Sequence, residues 1–109
     1  MNFSEQPAFY KEFKRLRKKY LSLSDDLIEF KRVVAVVPCG NGKHFNVIIR
    51  HEKCLIVKAR LFCSYLKGSS FRVIYAYHRE SATIDFIEIY FKGDQVTENR
   101  ERIRQYLNG

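Results

Sequence analysis

At 109 residues the chain is long enough to bury one core and too short for two. Apolar residues make up 46% and aromatic residues 15%, so it can fold as a globule, while a formal net charge of +8 favours polyanionic partners such as nucleic acid or an acidic protein. Three cysteines without CxxC spacing argue against a disulfide framework, and no apolar run approaches membrane-spanning length; with no signal-peptide pattern at Met1–Gln6, a cytoplasmic protein without membrane association is expected.

The first predicted element is a helix from about Pro7 to Tyr20, where Pro suits the first turn. Phe9, Phe13, Leu16 and Tyr20 make one apolar stripe along it. The cations between them include Lys14, Arg15 and Lys18, read either as a solvated face or as a grip on phosphate backbone. Ser24-Asp25-Asp26 signals a second helix start, with Ser24 as cap. Leu27, Phe30, Val34 and Val37 form its stripe, and it ends before Pro38. The short connection implies an antiparallel helical hairpin.

Pro38–Lys43 reads as a loop and Phe45–Arg50 as a strand. Leu55–Phe62 is a second strand, with Leu55, Val57, Ala59 and Leu61 on one face and Ile56, Lys58, Arg60 and Phe62 on the other. Ser64–Ser70 reads as a connection containing the turn residues Lys67-Gly68-Ser69-Ser70, Phe71–Tyr77 and Thr83–Phe91 as further strands, and Thr97–Leu107 as a final helix. The expected fold class is therefore α+β: an N-terminal helical hairpin on a small antiparallel sheet of three to four strands, closed by a C-terminal helix, as one domain over 1–109.

Cations inside strand sequence stand out from that plan. Lys58 and Arg60 share a strand face, and Arg72 interrupts Phe71-Arg72-Val73-Ile74-Tyr75. Folding alone would place aliphatic residues there, so a surface that meets an anion is expected, with RNA phosphate foremost. The bland alternatives are a snorkelling Lys58, an Arg60 paired with Asp85 or Glu88, and an exposed turn lysine at Lys92. Leaving a cation unpaired in a strand as apolar as that of Arg72 is costly, so it is the hardest to dismiss. Tyr75, Tyr77 and Tyr90 read more naturally as half-buried strand aromatics than as stacking platforms. Cys39, His44, His51 and Cys54 match no common zinc spacing, so no metal site is assigned.

The order of elements, with the Lys-x-Arg strand, the Arg-Val-Ile-Tyr strand and Phe86–Asp94, resembles the RelE/ParE superfamily of bacterial type II toxins, the RelE-type branch in particular. The resemblance implies a metal- and cofactor-independent mRNA interferase, an endoribonuclease that cleaves mRNA on the ribosome and is neutralised by a cognate antitoxin. There the RNA's own 2′-hydroxyl attacks the adjacent phosphate, leaving a cyclic phosphate and a free 5′-hydroxyl. The family's catalytic cations fall on Lys58, Arg60, Arg72 and Lys92, and Lys14, Arg15, Lys18 and Tyr90 are the expected substrate contacts. One departure concerns the proton-transfer group: Thr97-Glu98-Asn99 stands where RNA-cleaving members often carry Tyr or His, leaving Tyr90, Tyr106 and Glu98 as substitutes. The alternatives are a ParE-type gyrase poison and a degenerate toxin that only binds RNA or antitoxin.

Overall fold

The computed structural model describes residues 1–40 and 42–109, with the backbone alone at 69 and 70. Residue Asn41 of the expected Pro38–Lys43 loop lies outside the described residues. In chain order the elements are β1 (Asn2–Glu5), α1 (Pro7–Lys19), α2 (Leu23–Val36), β2 (Phe45–Arg50), β3 (Leu55–Cys63), β4 (Gly68–His78), β5 (Thr83–Phe91) and α3 (Arg100–Asn108).

The expected antiparallel sheet of three to four strands is corrected by these elements. The described residues form a five-stranded mixed sheet in the order β1-β5-β4-β3-β2. The helical hairpin does not start the fold, because β1 precedes it and pairs parallel with β5, from Asn2 opposite Thr83 to Glu5 opposite Phe86. Four residues with one large apolar side chain give no period to read, and β1 is held mainly by its backbone and by Phe3 stacked on Phe86 at 6.1 Å. Beyond Phe86 the free edge of β5 meets α1, where Glu12 accepts the Ile89 N–H at 3.3 Å.

Three boundaries also move. Helix α2 starts a residue before Ser24, and Ser22 stands at the cap position without a capping side-chain bond, its hydroxyl donating to Asp26 at 2.7 Å. The turn falls in the first half of the expected Ser64–Ser70 connection: Leu66 and Lys67 donate to the Cys63 and Ser64 carbonyls, Lys67 takes a φ of +56°, and β4 begins at Gly68, three residues before Phe71. Helix α3 begins at Arg100, capped by Asn99, which accepts from Arg102 N–H at 3.0 Å.

The two sheet faces are covered differently. Helix α1 lies over β5 and α2 over β3. Phe9, Phe13, Leu16, Leu27, Phe30 and Val34 are all buried there against Val57, Phe71, Val73, Tyr75 and Phe86. On the opposite face α3 brings Ile103 onto Ile56, Ile74 and Ile87 as a second, smaller core. Arg102 ties the two layers by a paired contact with Glu12, 2.9 Å at each oxygen. Helix α3 covers only part of its face, and the uncovered part holds the cations. No helix among the described residues is long and apolar enough to cross a membrane.

Candidate active site

Strand alternation puts Lys58 and Arg60 on the face opposite α1 and α2, and antiparallel register extends them into rows. Arg60 stands directly opposite Arg72, and Arg72 directly opposite Tyr90. One turn of the pleat away, Lys58 stands opposite Ile74, which stands opposite Glu88. Like charges facing each other across a ladder destabilise it. The Arg60–Arg72 pair is therefore a cost that the fold carries rather than a device that holds it together.

These side chains line one open cavity of about 320 Å³, together with Tyr90 and Lys92. Arg72 is only 9% exposed and donates to the Phe71 carbonyl at 3.1 Å. Burial, and then the charge of Arg60, push its pKa down, while Tyr90 opposes them. The guanidinium is thus fixed among other cations where an anion would relieve both strains. The expected alternative partners of Arg60 are engaged elsewhere. Asp85 accepts from Ser4, Gln6 and Tyr106, and Glu88 accepts from Gln95 and the Asn99 backbone.

Lys58 is not a bare cation. It donates to Glu98 at 2.9 Å, and Glu98, 7% exposed, also accepts from Thr97 at 2.9 Å and pairs with Arg100 at 3.4 Å. Burial works against the charge on Lys58, but the Glu98 hydrogen bond and the nearby Tyr90 and Glu98 outweigh it and raise its pKa. The same balance acts on Glu98: burial raises it, yet hydrogen bonds from Lys58, its own backbone and Thr97 take it down to about 2. Lys58 therefore stays protonated and Glu98 ionised near neutrality. Neither matches the proton-transfer role sought at this end of the last helix. Burial raises the Tyr90 hydroxyl despite the opposing Lys58 charge, and its oxygen meets no hydrogen-bond geometry among the described residues.

The four cations assigned from sequence, and Tyr90, are thus brought together. Lys14, Arg15 and Lys18 are not: they are exposed on α1, which packs on the other face of the sheet, and none lines the cavity. Tyr106 is also elsewhere, donating to Asp85 at 2.9 Å beneath α3. Glu98, a candidate substitute for the proton-transfer group, arrives from the segment before α3 and is instead the ion-pair partner of Lys58. His44 is not among the sequence candidates: considered there only as a metal ligand, it lines the cavity from the residue before β2. No cluster of three or more His, Cys, Asp or Glu among the described residues is arranged to hold a metal ion. A larger cleft of about 570 Å³ adjoins, between β2 and α3; Asn46 lines both, Glu98 reaches its wall, and none of the four cations does.

No family model and no curated protein matches the sequence. Among solved structures, the chain is similar to one from the archaeal RelE–RelB complex of Pyrococcus horikoshii OT3, at a TM-score of 0.65 and 17% identity. The match covers 86% of this chain and 97% of that one. The likeness is one of fold: the chain has a RelE-like arrangement of strands and helices.

Proposed function

We propose that this chain, acting as one domain, is the toxin of a toxin–antitoxin pair and cleaves mRNA on the ribosome. The observation that carries the proposal is the row Arg60–Arg72 opposed across β3 and β4, in one cavity with Lys58 and Lys92, on a RelE-like fold. In this reading the attacking 2′-oxygen and the departing 5′-oxygen flank a phosphorus whose non-bridging oxygens gain charge. Arg72, fixed by burial, offers a planar fork to those oxygens and is the main stabiliser of the transition state. Arg60 and Lys92 hold the flanking backbone, and Lys58, kept protonated by Glu98, adds a fixed positive charge. The antitoxin would be acidic, since the net charge of +8 rewards a complementary partner. The site of action is the cytoplasm.

The test is to induce the chain in a bacterial host, map new mRNA 5′ ends, and assay gyrase cleavage complexes in parallel. New 5′-hydroxyl ends within translated codons are expected. Growth arrest with trapped gyrase and no new mRNA ends would replace this reading with the gyrase-poison one. Binding without either outcome would leave a degenerate toxin.

A further inference from the structure

We propose that His44 is the proton acceptor of this site, taking the proton from the attacking 2′-hydroxyl. The inference rests on the RNA-cleavage reading above. In that reaction the 2′-oxygen loses a proton as it bonds to phosphorus. The bond from phosphorus to the 5′-oxygen breaks, and that oxygen takes up a proton. No water and no cofactor is consumed.

The cavity is rich in groups that can give a proton and poor in groups that can take one. Arginine cannot be deprotonated in a protein, which removes Arg60 and Arg72. Lys58 is held as an ammonium by Glu98 at 2.9 Å. Tyr90 can donate, and Lys43 and Lys92 are lysines exposed to solvent, a side-chain type whose ordinary range keeps it charged at neutrality. Asn46 has no titratable group, and none of the described residues lining the cavity is a carboxylate. An imidazole is the side chain whose ordinary range lets it accept a proton near neutrality.

Position supports the assignment. The His44 carbonyl accepts the Arg60 N–H at 2.9 Å, so β3 clamps this residue beside the arginine row. Its ring packs edge-on against Phe62, with centroids 5.1 Å apart at 80°. Its Nδ1 is sealed from water and finds no partner among the described residues. Native structures seldom leave a buried nitrogen unpartnered, and with Nδ1 sealed the other ring nitrogen, Nε2, is the one left to take the proton. The charged groups around the ring come from both sides. Arg60 and Lys58 of β3, Arg72 of β4, Lys92 and the neighbouring Lys43 share its cavity. Asp25, Asp26 and Glu29 of α2 share with it the groove beyond.

The experiment uses ribosomes programmed with mRNA and saturating full-length protein under single-turnover conditions. His44→Ala and His44→Gln are compared with wild type for cleavage rate, ribosome binding and thermal melting. Both variants should melt and bind as wild type yet cleave about 10² to 10⁴ times more slowly. Added imidazole should restore His44→Ala in proportion to its free-base fraction, and should not restore Arg72→Ala. Wild-type cleavage by a folded His44→Ala or His44→Gln protein would overturn the proposal. So would a slow, folded and bound His44→Ala that imidazole fails to restore. If wild type itself makes no cut, the RNA-cleavage reading falls and this inference with it. That outcome is distinct from the others.

Discussion

On the helix-covered face of β4, Phe71, Val73 and Tyr75 are wholly buried under α1 and α2. On the other face of the same strand, Arg72 stands between Arg60 and Tyr90. The two faces alternate residue by residue, so backbone and local sequence are shared and only the environment differs. Every side chain named on the first face improves packing. The arginine row on the second puts like charges in register, which packing would never select. The difference separates what makes the chain fold from what makes it act. It also predicts that damage to the two faces will show in different measurements.

The largest effect on folding is expected from the covered face. Phe86 is fully buried, with its ring 5.1 Å from Phe9 and 6.2 Å from Tyr75. Phe86→Ala should cost about 3–5 kcal/mol in urea or thermal unfolding. That is a large share of the about 5–15 kcal/mol available to a typical domain. Any loss of activity should follow the folded fraction alone.

Arg72→Ala should show the opposite pattern. Cleavage should fall by about two orders of magnitude or more while the melting curve is kept. Removing a cation that faces Arg60 relieves repulsion and offsets the loss of its bond to the Phe71 carbonyl, so stability should change little. Arg72→Lys should recover little, because a point charge does not replace the planar fork. A folded Arg72→Ala with wild-type mRNA cleavage would erase the distinction between the faces.

How far each face is legible in the sequence follows from the range of the interactions that build it. The stripes of α1 and α2 and the split of β3 into Val57 and Ala59 against Lys58 and Arg60 come from local periods, and local periods can be read. Strand β1 has too few residues for a period, and its place is set by a parallel partner some eighty residues away. That pairing is what turns an expected antiparallel sheet into a mixed one. The same limit applies to the site. Lys58, Arg60 and Arg72 are visible because they interrupt apolar strands. Glu98 is visible by its place before the last helix, but its pairing with Lys58 spans forty residues and nothing local announces it. His44 had a usable signal: a tight connection between β2 and β3 sets Phe45 opposite Ala59, which carries His44 to Arg60. The clustered lysines of α1 mislead in the other direction, since charge density alone does not say which side of the sheet a helix occupies.

A third prediction probes the contact that joins stability to the cation face. Glu98→Gln removes the carboxylate that holds Lys58 and Arg100, and should cost about 1–3 kcal/mol. The wild-type pH profile gives the sign. The Glu98 carboxyl sits at about 2 in the fold, below the ordinary 4.5. A group lowered on folding adds stability above its unfolded value, and that stability is lost as pH falls through the folded value. Wild type should therefore lose stability progressively from about pH 4.5 towards about pH 2, and Glu98→Gln should lose less over the same window. Parallel acid titrations of the two proteins would refute the pairing.

The smallest effect is expected at Lys14, Arg15 and Lys18, which are exposed on α1 and across the sheet from the cavity. Changing the three to Gln should alter stability by no more than about 0.5 kcal/mol per site, because all three are exposed and none has a buried partner among the described residues. Their expected role as a phosphate grip now carries a geometric condition. A single RNA strand in the cavity cannot also lie along α1, so any contact they make is with a second stretch of backbone on the other side of the molecule. If that contact exists, the triple variant should bind ribosomes more weakly, and its affinity should depend less steeply on salt, since fewer counterions are released on binding. Its single-turnover rate at saturation should match wild type, because these charges lie outside the cavity. A variant with unchanged salt dependence would make the α1 cations a solvated surface only. A reduced rate at saturation would show that the two faces are not as separate in action as they are in structure.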